Sequence, residues 1–192
     1  EDVPYRKLRY RGEDVPMLRE ISPNRVLTLS SFSKLLSPGM RVGYMVAPAA
    51  FTAQITKLAE NTYLSPVLPT QAIVSQFIAQ NWMQQNIEEL KRLYKPRWAA
   101  MNEAIERYLP GVESSAPDGG FFVSVTLPES ANTANLLARA KEIGLILTDG
   151  QAFYADPDEG EVPNGERFVR LPFCAVTPEQ IEEGVKRLAS LL

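Results

Sequence analysis

The chain has 192 residues, 45% of them hydrophobic, with 20 basic and 23 acidic side chains and a net charge of −3. That length suits one large or two small domains with a real core, and the charge offers no bulk attraction to nucleic acid or to an anionic membrane. With no histidine and one cysteine, Cys174, the chain excludes Ser-His-Asp hydrolysis, Cys-His chemistry, ordinary histidine-based zinc sites, an intrachain disulfide and a multi-cysteine metal centre.

Val26–Leu29 reads as a short strand running into a hydroxyl-rich loop, and Val42–Val46 as a second strand stopped by Ala47-Pro48. Ser37-Pro38-Gly39 between them reads as a turn. Two short apolar strands side by side point to a buried sheet. From Ala49 to Asn61, Phe51, Ile55 and Leu58 recur at helical spacing. A loop with Pro66 follows, and Pro69 suits the start of a helix carrying Ala72, Ile73, Phe77 and Ile78.

The longest helical pattern runs from Asn86 to Leu109, with Asn86 as the expected cap and Glu89 completing a partial capping box. Ile87, Leu90, Leu93 and Tyr94 mark its apolar stripe, and Pro96 predicts a kink or a break. Then come a strand over Phe121–Val125, entered through Asp118-Gly119-Gly120, a helix over Thr133–Ile143 and a strand over Leu145–Leu147. Asp156–Gly165 reads as a loop and Phe168–Leu171 as a strand. The last helix has Thr177 as cap, Pro178 in first position and Gln180 in third, with Ile181, Val185 and Leu188 on its apolar face.

The chemistry concentrates between Ser30 and Gly43. Lys34 stands among Ser31, Ser33 and other hydroxyls, a Pro-Gly turn follows, and Arg41 comes seven residues after the lysine. Hydroxyls and a forked guanidinium suit a phosphate dianion. A lone lysine suits an aldehyde, which its amine attacks only when neutral, so burial or a cationic neighbour is needed. One molecule that carries both groups is pyridoxal 5'-phosphate. Taken alone, Lys34 reads more readily as a stray lysine in a solvated surface loop. With no histidine in the chain, proton transfer falls to Lys, Tyr, Asp, Glu or a cofactor. Arg170 lies in the apolar run from Phe168 to Phe173, where it needs an anionic partner or solvent. A structural salt bridge is the alternative to a ligand.

The S-x-S-K and P-G-x-R-x-G motifs, the D-x-x-Y at Asp2 and Tyr5 followed by Leu8, and the G-G-x-F at Gly119–Phe122 resemble the fold-type I, pyridoxal-phosphate-dependent aminotransferases of class I/II. The resemblance covers nearly the whole chain and is closest to the aminoadipate, kynurenine, aromatic and branched-chain aminotransferase group. It implies an α/β fold: the C-terminal part of a large cofactor-binding domain over residues 1–85, a connecting helix over 86–109 and a small α/β domain over 110–192. It also implies that Lys34 binds the cofactor covalently, with Ser31, Ser33 and Arg41 holding the phosphate. By the same resemblance Asp2 faces the ring nitrogen, Tyr5 the ring phenolate oxygen, and Arg170 the substrate carboxylate, with Arg167 as the fallback. Pro172 departs from the serine common in the family after the Arg-Leu pair.

The resemblance further implies amino acid and 2-oxo acid substrates and a homodimer with shared sites. The segment Asn61–Pro66 resembles one that reaches the neighbouring subunit's site. It holds no arginine for a second carboxylate, which favours apolar or adaptable side chains over strict aspartate recognition. No apolar run approaches the roughly 18 residues that span a bilayer and no signal peptide is visible, so a cytoplasmic protein without membrane or nucleic-acid partners is expected. The chain starts at Glu1, inside a motif, and reads as a fragment inactive alone. Three other readings use the same residues: a cofactor-binding domain of a helix-turn-helix regulator, a β- or γ-elimination enzyme, and a non-catalytic dimerising domain.

Overall fold

The computed structural model describes residues 1–155 and 165–192. It divides into two compact units, Glu1–Arg92 and Leu93–Leu192. The expected loop at Asp156–Gly165 lies outside the described residues except for Gly165.

The first unit holds α1 (Leu18–Ile21), β1 (Thr28–Ser31), β2 (Gly43–Val46), α2 (Ala49–Tyr63), α3 (Leu68–Ala79) and the start of α4 (Trp82–Tyr108). β1 and β2 pair antiparallel from Thr28 opposite Val46 to Ser31 opposite Gly43. The N-terminal segment adds to the other edge of β1 in parallel, through Val3 N–H to Leu29 O and Leu29 N–H to Glu1 O, both 2.9 Å. The expectation of a buried sheet is corrected here. Thr28 is buried, whereas Leu29 on one face and Tyr44 and Val46 on the other are exposed, because the described chain lays no continuous apolar layer over either face. The apolar residues of α2 (Phe51, Ile55 and Leu58) and Ile73 and Ile78 of α3 are exposed for the same reason. The core of this unit comprises Leu8, Tyr10, Leu35, Val74 and Ile87.

α4 begins four residues before the expected Asn86, so Asn86 is no cap. Its side-chain amide instead donates to the Leu35 carbonyl at 2.6 Å. Pro96 does not break the helix, which continues to Tyr108. Pro96 and Arg92, whose carbonyl loses its usual partner, are both exposed, so the missing bond faces water. Leu93, assigned to the apolar stripe, is also exposed.

The second unit continues α4 and adds β3 (Glu113–Ser114), β4 (Phe122–Thr126), α5 (Leu136–Glu142), β5 (Phe168–Pro172) and α6 (Pro178–Ala189). The antiparallel sheet has the order β3-β4-β5. Strand alternation sends Val123, Val125, Val169 and Leu171 into the core. They share it with Met101, Ala104, Ile105 and Leu109 of α4, Leu136 and Ala140 of α5, and Ile181, Val185 and Leu188 of α6. The strand expected at Leu145–Leu147 does not form. Leu145 N–H bonds back to Ala140 O and Ile146 is 89% exposed. An apolar run becomes a strand only where a sheet edge receives it, and none of the described strands pairs with this one. Among the described residues no helix is long and apolar enough to cross a membrane.

The capping box of α6 forms as read from the sequence. Thr177 Oγ1 accepts from the Gln180 amide, and the Gln180 side chain accepts from the Thr177 amide. Thr177→Ala should lower stability by about 1 kcal/mol, read as a drop in urea midpoint at constant m-value. An unmoved midpoint contradicts the cap.

Glu182 on α6 accepts from the Tyr108 hydroxyl at 2.6 Å and pairs with Lys186 at 3.1 Å and Arg107 at 3.5 Å. The Tyr108 hydrogen bond, then the Lys186 ammonium, hold its carboxyl below the ordinary 4.5. A carboxyl lowered by folding stabilises the native state above its unfolded value, and that contribution fades as pH falls through the folded value. Glu182→Gln should therefore be less stable than the parent at neutral pH, with the gap shrinking below pH 4.5. Urea titrations at the two pH values would show it, and a gap independent of pH contradicts the assignment.

Candidate active site

β1 delivers the chain into the lysine loop. Its last residue, Ser31, places its hydroxyl 2.8 Å from that of Ser33, and Ser31 Oγ accepts the Ser33 amide at 3.0 Å. Phe32 N–H bonds Val42 O and Leu36 N–H bonds Phe32 O, which closes the loop as a tight turn. A 3-10 turn over Pro38–Met40 follows, and Arg41 adopts the left-handed region at φ 53°. Gly43 suits its place opposite Ser31, where a Cβ would lie a tight 3.0 Å from the Ser30 carbonyl oxygen. Leu35, next to the lysine, is buried, and the Asn86 bond anchors its carbonyl to α4.

Lys34 is half-buried, with Nζ 5.9 Å from the centre of the Tyr5 ring. Tyr5 reaches it because the N-terminal segment runs along β1 before turning through the Leu8 N–H to Tyr5 O bond at 2.8 Å. Asp2 lies on the same segment, paired with Leu29. Its carboxylate is exposed and makes no hydrogen bond or ion pair among the described residues.

Glu1 is a residue the sequence reading missed. Its carboxylate accepts the Thr28 hydroxyl at 2.8 Å, the Leu18 amide at 2.8 Å and the Arg19 amide at 3.2 Å. Burial pushes this carboxyl up. The bonds from Thr28, Leu18 and Arg19 outweigh that effect and leave it below the ordinary carboxylate value. Glu1 thus clasps the Asp2 segment to β1 and α1. Nothing in its sequence neighbourhood signals that role, since Thr28 is 27 residues away.

Ser31, Ser33, Lys34, Arg41, Asp2 and Tyr5 therefore belong to the first unit. The Arg41 guanidinium donates to Pro38 O at 3.3 Å and is otherwise exposed. Arg170 belongs to the second unit, on β5 opposite Ser124. It is not buried among apolar residues as its run implied. Alternation puts it on the half-open face, with the buried valines and leucine on the other. Its guanidinium lies 4.2 Å from the centres of both the Phe122 and Phe153 rings. It makes no hydrogen bond or ion pair among the described residues, so the structural salt bridge offered as its alternative is missing there. Arg167 precedes β5, donates to Leu127 O at 3.1 Å and lies 4.0 Å from Glu129, which gives it structural partners. Cys174 is half-buried and its carbonyl accepts from Arg97. Gly120 has φ 84°, the left-handed turn that admits the chain to β4.

This donor set fits pyridoxal phosphate. Paired hydroxyls and a guanidinium match a phosphate, a half-buried lysine matches an aldehyde, and a carboxylate with no partner among the described residues matches a pyridinium nitrogen.

The aromatic-amino-acid aminotransferase 1 of Thermococcus litoralis is 36% identical over this whole chain, which covers 45% of that protein. The crystal structure of the multiple substrate aminotransferase from Thermococcus profundus matches with a TM-score of 0.91 and 36% identity, over all of this chain and 46% of that one. The α-aminoadipate aminotransferase LysN from Thermus thermophilus, complexed with N-(5'-phosphopyridoxyl)-L-leucine, matches with a TM-score of 0.86 and 30% identity, over all of this chain and 49% of that one. The chain thus spans about half the length of these relatives. Its architecture is the α/β fold of the pyridoxal-phosphate aminotransferases. Residues 5–188 match the model for aminotransferase class I and II, and the chain belongs to that family, whose members use pyridoxal phosphate.

Proposed function

We propose that this chain carries the lysine-bearing part of the active site of an aminotransferase that moves an amino group between amino acids and 2-oxo acids. The observation that carries the reading is the meeting of Lys34 with Tyr5 beside the Ser31–Ser33 hydroxyl pair. The family match supports reading that group as a cofactor site rather than a surface loop.

Pyridoxal phosphate, when bound, would supply an aldehyde for the amino group and a ring that accepts the electron pair left at the substrate Cα. Ser31, Ser33 and Arg41 would hold its phosphate by charge-assisted hydrogen bonds. The Asp2 carboxylate would keep a proton on the ring nitrogen, and the Tyr5 hydroxyl would donate to the phenolate oxygen. The Lys34 amine would bind the cofactor and, once displaced by substrate, take the Cα proton and return it on the cofactor side. Arg170 would take the substrate α-carboxylate with two parallel N–H donors.

The reading extends to a cytoplasmic homodimer with sites shared between subunits. The exposed apolar side chains of α2, α3 and the β1–β2 sheet support burial against further protein. Tyr63 and Leu64, exposed at the end of α2, are the residues of the Asn61–Pro66 segment proposed to face the partner's site. The segment has no arginine, so apolar and aromatic amino donors are the expected substrates, in line with the names of the relatives above.

In the full-length protein, Lys34→Ala should abolish the visible absorbance of the protein-linked cofactor and cut turnover by about 10³-fold or more. Turnover at the parent rate would sink the assignment. Asp2→Asn should weaken turnover while the phosphate is still held, so an amino-donor assay with phenylalanine and 2-oxoglutarate should show the larger effect on kcat. A change confined to cofactor affinity would remove Asp2 from the ring nitrogen.

A further inference from the structure

We infer that Phe122 and Phe153 are positioning residues for the substrate-carboxylate anchor, clamping the Arg170 guanidinium between two aromatic faces so that only its donor edge is open to a ligand. The inference rests on the proposed role of Arg170 and adds two residues to it.

A guanidinium has two faces and an edge. The faces stack on rings, while the five N–H donors lie in the plane. The Phe122 and Phe153 ring centres each lie 4.2 Å from the Arg170 Cζ, close enough for both rings to cover the cation. Arg170 has no hydrogen bond or ion pair among the described residues, so its in-plane donors remain for an incoming group. The partner that suits a planar fork is a planar carboxylate. The two rings also displace water from the cation, which strengthens the cation–π contact and the later ion pair alike.

Each ring arrives by a different route. Phe122 is set by strand register: Ser124 faces Arg170 and Phe122 faces Pro172, so Phe122 is the diagonal neighbour on the same face. The small Ser124 directly opposite leaves room for the guanidinium to lean over. Phe153 comes from the 3-10 turn Gly150–Phe153, whose start is capped by the Asp149 carboxylate accepting the Gln151 amide at 3.0 Å. That turn is pressed against the start of β5. A Cβ on Gly150 would fall 2.0 Å from the Phe168 carbonyl oxygen. A Cβ on Gly165 would fall 2.6 Å from the Tyr154 ring and 2.8 Å from the Gly150 carbonyl oxygen. Two glycines at this contact let the turn approach closely enough for Phe153 to cover Arg170. Phe153 is braced in turn by the Phe168 ring, 5.5 Å between centres.

The test uses the full-length holoenzyme and 3-phenylpropanoate, a carboxylate with no amino group to react. Phe122→Leu and Phe153→Leu keep apolar bulk and remove the π face. Each should raise the Kd for 3-phenylpropanoate and the KM for phenylalanine about 5- to 10-fold, with a smaller change in kcat, and Phe153→Tyr should restore both. Independently of turnover, the Arg170 Nε–H proton, assigned by its disappearance in Arg170→Lys, should resonate upfield of the other arginines through ring currents. It should move back in either leucine variant. An ordinary Nε–H shift in the parent protein would overturn the clamp even if no variant folds. If Arg170→Lys weakens 3-phenylpropanoate binding while both leucine variants bind as the parent does, the anchor stands and the clamp is refuted. If Arg170→Lys binds it unchanged, the anchor itself is refuted and the clamp with it.

Discussion

The hydrogen bonding along both edges of β1 is the constraint on which the proposed cofactor site depends. One edge takes β2 and the other takes the N-terminal segment. That double pairing brings Tyr5 to Lys34 and puts Asp2 on the neighbouring track. Register does the rest: Ser31 opposite Gly43 closes the loop between the strands, and a slip of one residue would turn the Ser31 and Ser33 hydroxyls away. Two contacts from outside the ladder brace this arrangement. The Glu1 carboxylate gathers donors from Thr28 and α1, and Asn86 holds the backbone beside Lys34.

The second unit works by alternation rather than by double pairing. Every other residue of β4 and β5 enters a core closed by α4, α5 and α6. The intervening positions form a face that is free to carry Phe122, Ser124, Phe168 and Arg170. A charged side chain is therefore tolerated in a run that looks apolar when read in one dimension. Its guanidinium lies against the Phe122 and Phe153 rings and makes no hydrogen bond or ion pair among the described residues.

Much of this was legible from residue patterns. Lys34, Ser31, Ser33, Arg41, Asp2, Tyr5 and Arg170 were all picked out by motif. The structure draws Lys34, Ser31, Ser33 and Tyr5 together, lays Asp2 along β1 and carries Arg170 in the other unit. Where pattern and structure part, a tertiary partner is the cause. Asn86 has the chemistry of a helix cap but serves the lysine loop. Leu145–Leu147 has the composition of a strand but lacks an edge to join. Pro96 has the chemistry of a helix breaker but faces solvent, where its missing bond is cheap. Glu1, Phe153 and the Gly150–Gly165 contact left no trace in spacing or composition.

The sequence by itself determined what acts over a few residues: the α6 capping box at Thr177 and Gln180, the β4 and β5 alternation and the hydroxyl–lysine loop. These signals are local because backbone periodicity and short hydrogen-bonded turns are local. Only the tertiary structure decided which distant groups meet, such as Asn86 with Leu35 across 51 residues, Glu1 with Thr28 across 27, and Phe153 with Arg170. Those meetings follow from strand register and from how closely two backbones can approach, and neither is encoded in any short stretch of chain.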